Sequence, residues 1–269
     1  MSRTTLRAVA LAVLLGLVVY ACAKVPITGR RQLSLIPASE LNALSFQEYE
    51  QFLASNKLST DRAKTAMVKR TGERIQHAVE RFFIEQKQPG KLDGYAWEFN
   101  LIESEEVNAW CMAGGKVVVY TGILPVTGDE TGLAVVMGHE ISHAIAEHGN
   151  ERMSQSLLAQ LGEVALGKAL EQKSEQTRSL FMTAYGVGAQ VGVLLPYSRT
   201  QESEADRLGL IFMSMAGYDP HVAVDFWKRM SAQSQGTPPE FLSTHPSDER
   251  RIRDLEAYVP EAMGYYQKP

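Results

Sequence analysis

Two histidines four residues apart limit the folds open to this chain more than any other part of its sequence. His139 and His143 fit the pattern H-E-x-x-H within VVMGHEISHAIAEHGN, residues 135–150. On a helix, residues four apart lie on one face, so both imidazoles can reach one zinc ion. Glu140 stands beside the first histidine, where it can take a proton from a metal-bound water. We predict zinc ligands at His139 and His143 and a catalytic base at Glu140; a surface pair on an amphipathic helix is the alternative.

A third zinc ligand has to be found, because a catalytic zinc is usually held by three protein side chains. The same segment offers His148 and Glu147. If the helix continues, His148 lies about 180° around the axis from His139, at about 100° per residue. Glu147 is nearer the ligand face but lies about 9 Å further along the axis than the midpoint of the histidine pair. We therefore expect the third ligand to come from another helix, with Glu147 in a supporting place.

The best source of that ligand is TQESEADRLGLIFMSMAG, residues 200–217. Its apolar residues make one face of a helix, with Glu202 and Asp206 at the edge of that face and Gly209 within it. A buried carboxylate needs a partner or a metal, which favours Glu202 as the third ligand. Asp206, one turn later, is predicted to accept a hydrogen bond from a ligand histidine. A helix start with solvated charges is the alternative interpretation.

The N-terminus resembles the export signal of a bacterial lipoprotein. Two arginines precede an apolar run over 8–21, which is shorter than the roughly 17–25 residues of a membrane-crossing helix. We predict a signal peptide at 1–21, a lipid on Cys22 and a tether over 22–38; an uncleaved anchor helix is the alternative. The expected location is the envelope of a Gram-negative bacterium, on the outer membrane and facing the periplasm. The formal charge of −4 gives no reason to expect nucleic-acid binding.

The remaining chain, residues 39–269, is predicted to form one mainly helical α+β domain. Helical patterns dominate, apart from the alternating segment YAWEFNLI at 95–102 and a strand–turn–strand pattern over 107–124. A helical region is predicted to begin near Asp129 and to carry the two histidines. One catalytic domain with a small sheet is the simplest architecture that holds these elements.

These motifs together resemble a known protein family. HEISHAIAEHG followed by ESEADRLG, with NAWCMAGGKVVVYTGIL before them and THPSDERR after them, is similar to the gluzincin membrane-associated zinc metalloproteases, which include the HtpX, CAAX prenyl protease and Oma-like types. The resemblance covers about residues 26–255 and is greatest to the soluble lipoprotein branch. It implies a zincin-like catalytic domain with one zinc ion, in which the edge strand of a small β-sheet flanks the H-E-x-x-H helix.

The resemblance also implies roles for residues outside the ligand set. Asn108 and Ala109 match the edge strand on which such proteases bind a peptide as an added strand, although this segment can also be a simple hairpin corner. His245 matches a histidine that faces the active site, either to stabilise the oxyanion or to occupy the open zinc position; a helix-capping role is the alternative. Arg251 matches a basic position and is expected to pair with a carboxylate of the site.

The function implied is a zinc-dependent endopeptidase that is anchored to the membrane through the lipid on Cys22. Its expected partners are unfolded or damaged envelope proteins, which it degrades in protein quality control, and the envelope assembly machinery. A function of another class is an outer-membrane assembly chaperone or scaffold whose zinc is mainly structural, and the intact Glu140 counts against it. A zinc hydrolase of peptidoglycan or another non-protein substrate is a third hypothesis, which only the compartment suggests.

Overall fold

The computed structural model describes residues 22–189, 195–232, 239–245 and 249–267. The predicted signal peptide and the side chain of Cys22 lie outside this part of the chain. Within the part described, no helix combines the length and the apolar character that crossing a membrane requires.

Two compact units make up the chain. Among the described residues, the larger unit joins 39–146 to those of 200–267, and it contains the predicted zinc ligands together with Glu140 and Asp206. Within the same described part of the chain, the smaller unit joins 22–38 to 147–189 and 195–199.

Helices dominate the described residues, which confirms the predicted mainly helical α+β class. Asp61 caps the long amphipathic helix over 62–85, because its carboxylate accepts a hydrogen bond from the Lys64 backbone N–H at 3.0 Å. A short 3₁₀ turn, Pro89–Leu92, follows that helix. The helices are α1 (Ala38–Ser55), α2 (Arg62–Glu85), α3 (Leu124–Thr127), α4 (Glu130–Ile145), α5 (His148–Ala169), α6 (Glu175–Ala189), α7 (Leu195–Met215), α8 (Val222–Ala232), α9 (Glu240–Thr244) and α10 (Glu249–Met263).

The strands form two small sheets, one in each unit. They are β1 (Cys22–Lys24), β2 (Arg31–Leu33), β3 (Glu98–Ile102), β4 (Ala109–Met112) and β5 (Lys116–Tyr120). In the larger unit the order is β3–β5–β4, with β5 parallel to β3 and antiparallel to β4. The valines of β5 are buried, as expected for a central strand. Strand β4 therefore lies at the edge of this sheet, as the resemblance implied.

Two glycines shape the hairpin between β4 and β5. Gly114 and Gly115 have φ angles of +80° and +86°, in the left-handed region that favours glycine. A Cβ atom would also lie 2.5 Å from the Phe46 ring at Gly114 and 2.6 Å from the Trp97 ring at Gly115. Glycine is therefore required at this turn both by the backbone conformation and by close packing.

Helix α4 carries the H-E-x-x-H motif through the core of the larger unit. Asp129 caps its start by accepting a hydrogen bond from the Gly132 N–H at 2.8 Å. Every residue from Gly132 to Ile145 is buried, so the two histidines are not a surface pair. The helix ends at Ile145, and Glu147 has a φ angle of +58°. The expectation of one helix continuing through His148 is therefore wrong, because the chain turns at a left-handed residue that the apolar pattern does not mark.

Helices α4 and α7 cross with their backbones in contact. A Cβ atom on Gly138 would lie 3.0 Å from the carbonyl oxygen of Gly209, and one on Gly209 would lie 3.0 Å from His139 N. Gly209, which lies within the apolar face of α7, therefore lets α4 approach closely. Asp206 and Glu202 precede Gly209 by about one and two helical turns, so the crossing brings both carboxylates towards His139.

In the smaller unit, the segment after Cys22 is fastened to helix α5. Strands β1 and β2 pair in antiparallel fashion. Arg30 donates two hydrogen bonds to the Glu151 carboxylate, at 2.7 and 2.8 Å, and Asn150 donates one to Ile36 O at 2.7 Å. The segment predicted as a tether thus contains two strands and contacts α5 through charged and polar groups.

Candidate metal centre

Four buried side chains of the larger unit converge where α4 crosses α7. His139 and His143 come from α4, Glu202 comes from α7, and His245 is the residue that follows α9. One ligand atom from each lies within 4.8 Å of the others. The four residues are at most 9% exposed, so an ion held between them would be largely shielded from water.

The spacing of the three predicted ligands suits zinc. The Nε2 atoms of His139 and His143 are 3.1 Å apart. Glu202 places Oε2 3.4 Å from His139 Nε2 and Oε1 3.3 Å from His143 Nε2. Ligand atoms about 2.1 Å from a tetrahedral zinc ion lie about 3.4 Å from one another. Two imidazoles and a carboxylate are also a donor set that zinc takes in enzymes, so the residues present fit this ion.

His245 faces the same point as these three side chains. Its Nδ1 atom lies 2.9 Å from Glu202 Oε2 and 3.2 Å from His139 Nε2, while its Nε2 atom lies 3.3 Å from Glu140 Oε1. Its backbone N–H ends α9 by donating to Phe241 O at 2.9 Å. The backbone of His245 thus ends α9, while its imidazole stands between the ligand group and the predicted base.

Asp206 lies on the far side of His139 from the ligand group. Its Oδ1 atom is 2.9 Å from His139 Nδ1. A carboxylate at this distance accepts the Nδ1 proton and leaves the Nε2 lone pair facing the other ligand atoms. Helix α7 therefore supplies one carboxylate to the ligand group and a second that sets the tautomer of a histidine in it.

Arg251 of α10 is buried among these groups, at 6% exposed. Its guanidinium donates to both Asp206 oxygens, from Nε at 2.8 Å and from Nη2 at 2.7 Å. Its Nη1 atom lies 3.4 Å from Glu202 Oε2 and donates to the His245 carbonyl oxygen at 3.2 Å. The carboxylate pairing expected of Arg251 is present, and the same side chain also reaches the segment that carries His245.

The buried carboxylates favour positive charge at the centre of this group. Burial raises the pKa of Glu202, but the charge of His143 and hydrogen bonds from three histidines outweigh it and hold that pKa far below its usual value. Burial likewise lowers the pKa of His139, yet hydrogen bonds to Asp206 and Glu202 dominate and raise it to about 9. For Asp206, burial is outweighed by Arg251 and His139, which lower the pKa. The charge these carboxylates favour can be carried by a proton or by a metal ion.

Edge strand β4 packs against α4 and turns part of its backbone away from the sheet. Tyr120 N–H donates to Asn108 O at 3.1 Å, and Ala109 lies opposite Val119. Because hydrogen-bonded pairs alternate along antiparallel strands, the backbone groups of Ala109 and Cys111 face away from β5. The Asn108 side chain covers part of this edge, since its Oδ1 accepts the Ala109 N–H at 2.9 Å.

This outward edge begins beside α9 and continues along β4, which packs against α4. At one end, the Val107 carbonyl accepts a hydrogen bond from Phe241 N–H at 3.2 Å. Further along, burial and the nearby charge of Glu140 raise the pKa of the Cys111 thiol well above its usual value. The thiol therefore stays protonated at neutral pH, which makes it a poor nucleophile or metal ligand.

Two aromatic side chains without any sequence signal for this role pack against the group. Trp227 of α8 is fully buried, with its ring 5.7 Å from the His139 ring and 5.7 Å from the Phe241 ring. Arg251 Cζ lies 3.4 Å from the centre of the Trp227 ring, and the Phe241 ring lies 4.9 Å from that of His245. An aromatic residue on an apolar helical face predicts core packing alone, so the sequence could not place these rings beside a metal site.

Comparisons with known proteins agree with this geometry. The family model described as Peptidase family M48 matches residues 69–259, which include the whole ligand group. The chain is 37% identical over 169 residues to the mitochondrial metalloendopeptidase OMA1 of Schizosaccharomyces pombe, a match that covers 62% of this chain and 48% of that protein.

Two further relatives are a second mitochondrial protein and a bacterial protein. The metalloendopeptidase OMA1 of Bos taurus, which is mitochondrial, is 33% identical over 246 residues, covering 88% of this chain and 46% of that protein. The beta-barrel assembly-enhancing protease of Escherichia coli is 34% identical over 167 residues, covering 59% of this chain and 33% of that protein. The chain thus spans about half, or less, of the length of these relatives.

Proposed function

The chain belongs to peptidase family M48, and from this membership we propose that it is a zinc-dependent endopeptidase. The observation that carries the proposal is the convergence of His139, His143 and Glu202 in one buried group, next to Glu140 on the same helix. Relatives named as metalloendopeptidases support the same class of reaction.

In the proposed mechanism each residue of the group has a separate task. His139, His143 and Glu202 would hold the zinc ion, which when bound would supply Lewis acidity towards the scissile carbonyl and the attacking water. Asp206 keeps His139 in the tautomer whose Nε2 lone pair faces the ligand group. Glu140 takes the proton of the attacking water and later passes it to the leaving amine.

A peptide substrate is proposed to bind as an added strand beside β4. The outward backbone groups of Ala109 and Cys111 support this arrangement, because β4 packs against α4, the helix that carries Glu140. The Asn108 side chain, which accepts the Ala109 N–H at 2.9 Å, would release that donor to the incoming peptide. Binding through backbone hydrogen bonds gives little selectivity for side chains, which suits unfolded or damaged proteins as substrates.

His245 is proposed to hold the enzyme latent by filling the fourth zinc position. The support is the place of its Nδ1 atom, 2.9 Å from Glu202 and 3.2 Å from His139. A zinc site with four protein ligands has no open position for the attacking water. Substrate binding therefore has to displace this imidazole before the reaction begins.

The proposed location is the Gram-negative envelope, with the chain attached to the outer membrane through a lipid on Cys22 and facing the periplasm. The N-terminal pattern of the sequence supports the anchor. A relative named for enhancing β-barrel assembly supports a contact with the envelope assembly machinery, beside misfolded or damaged envelope proteins as substrates. Mass spectrometry of the mature N-terminus tests the anchor, since it should find Cys22 lipidated and an unmodified cysteine would contradict it.

The Glu140→Gln variant tests the mechanism. It should bind as much zinc as the wild type, because Glu140 is not a ligand. It should degrade unfolded casein about 10²–10⁴-fold more slowly, because the general base is lost. Glu163→Gln, which changes an exposed glutamate of α5, is the matched control and should keep full activity. Zinc quantification and casein degradation measure the two properties. Cleavage by Glu140→Gln at the wild-type rate would contradict the mechanism.

The same variant separates the peptidase from an outer-membrane assembly scaffold with a structural zinc. In cells that lack the protein, the wild type should restore envelope integrity and Glu140→Gln should not. Restoration by Glu140→Gln, measured as resistance to large antibiotics, would show that cleavage is dispensable and would favour the scaffold.

A further inference from the structure

The proposed mechanism leaves one buried contact of the metal centre without a task, that between Trp227 and Arg251. Trp227 is fully buried and Arg251 is 6% exposed. The guanidinium carbon lies 3.4 Å from the centre of the indole ring, which is the geometry of a cation–π contact. Such contacts are strongest where both partners are removed from water, as they are here.

Arg251 is also the side chain on which several parts of the metal centre converge. It donates to both oxygens of Asp206 and to the carbonyl oxygen of His245, and it lies 3.4 Å from Glu202. The donors of a guanidinium share one rigid plane, so the orientation of that plane sets the direction of every one of these contacts. A side chain that holds the plane of Arg251 therefore holds its contacts with Asp206, Glu202 and the His245 carbonyl at the same time.

The indole of Trp227 is the group that meets the face of this plane. Its ring also contacts the ring of His139, at 5.7 Å between centroids and close to perpendicular. Trp227 is thus placed to support the metal centre at two points, the imidazole of a ligand and the arginine that holds Asp206 against that imidazole.

We propose that Trp227 is a positioning residue of the metal centre, which acts by holding Arg251 in the plane that keeps Asp206 on His139. This inference rests on the proposed function only in taking zinc as the ion. Trp227 contributes no ligand atom to the group, so we expect its main effect to pass through Arg251 and Asp206 to the imidazole of His139, beside its direct contact with that ring. Loss of the indole ring should therefore weaken zinc binding without removing a zinc ligand.

Zinc affinity of the full chain, measured by competition with a chromophoric chelator, tests this role. Trp227→Leu should weaken zinc binding about 10–100-fold, the loss typical of residues that orient metal ligands from behind. Trp227→Phe keeps an aromatic face and should lose less. Phe226→Leu is the matched control, because Phe226 is equally buried on the same helix, with its ring 5.3 Å from that of Trp227.

The control separates positioning from simple packing. Phe226→Leu should lower the melting temperature as Trp227→Leu does, because both leave a cavity in the core, but it should leave zinc affinity unchanged. Equal losses of zinc affinity in the two variants would overturn the proposal, and so would wild-type affinity in Trp227→Leu.

A double-mutant cycle tests whether Trp227 acts through Arg251. Arg251→Lys keeps the charge but loses the planar fork, so it should also weaken zinc binding. In the double variant of Trp227→Leu and Arg251→Lys the loss of zinc affinity should be smaller than the two single losses added together, because both changes disturb the support that Arg251 gives to Asp206. Additive losses would overturn the proposal. The readout is binding, so the result stands whether or not Glu140→Gln abolishes cleavage.

Discussion

At the scale of single residues, His245 has one ring nitrogen in the ligand group and the other beside the base. The Nδ1 atom lies 2.9 Å from Glu202 Oε2, and Nε2 lies 3.3 Å from Glu140 Oε1. The first contact suits a fourth ligand that excludes water, and the second suits a donor that assists the developing charge. These two roles predict opposite changes in rate when the imidazole is removed.

The His245→Ala variant should therefore cleave unfolded casein faster than the wild type, because an open zinc position admits the attacking water. Initial rates at saturating zinc measure the effect. His221→Ala is a suitable control, since this histidine is exposed and contacts Asp219 on the surface. A rate roughly 10²-fold below wild type would instead identify His245 as a stabiliser of the oxyanion and would contradict the latent state.

At the scale of elements, local signals predicted the segments of β3, β4 and β5 and the start of α4, but not the end of α4 or strands β1 and β2. Asp129 predicted the start of α4, because aspartate is one of the residue types that cap a helix by accepting a hydrogen bond from a backbone N–H. The end of α4 has no such signal in the sequence. Glycine usually marks a left-handed residue at a helix end, but here that residue is Glu147. The parallel pairing of β3 with β5 was also not predicted, because it depends on contacts between distant segments.

The outward edge of β4 predicts an alternating response to changes in the substrate backbone. In a series of test peptides with one N-methylated residue each, methylation should raise KM at every second position near the scissile bond. Each lost hydrogen bond should cost about 1 kcal/mol, or roughly fivefold in affinity. Positions between them should respond little, because their N–H groups face away from the strand. Equal effects at neighbouring positions would argue against strand addition.

At the scale of the whole molecule, the site is assembled from side chains that lie far apart in sequence. His139, His143, Glu202 and Asp206 could be predicted, because each has a chemical type and a helical position that together suggest a role. Trp227 could not, because a tryptophan in a core and one beside a metal look alike in sequence. Only the tertiary packing of α8 against α4 and α10 distinguishes them.

A zinc ion held by α4 and α7 would link two segments that are distant in the chain, so its removal should lower the melting temperature. At free zinc 100-fold above Kd, binding adds about 2.7 kcal/mol to the free energy of unfolding. In a protein of this size that corresponds to a fall of roughly 5–11 °C on chelation. Differential scanning fluorimetry with and without a chelator measures it. Glu202→Gln should show a smaller shift, and no shift in the wild type would contradict zinc binding by this site.

The backbone contact between Gly138 and Gly209 also bears on how much variation the chain can tolerate. A side chain at either position would meet backbone atoms at 3.0 Å, and backbone atoms have no other rotamer to adopt. The helices would have to separate by a few tenths of an ångström to admit a Cβ atom and further for a larger side chain, and each helix carries ligands of the same group. In a library of all single substitutions selected for function, these two positions should accept as few residues as His139 and Glu202. Selection would then preserve two glycines as strictly as two ligands, although neither glycine has a side chain to offer the ion.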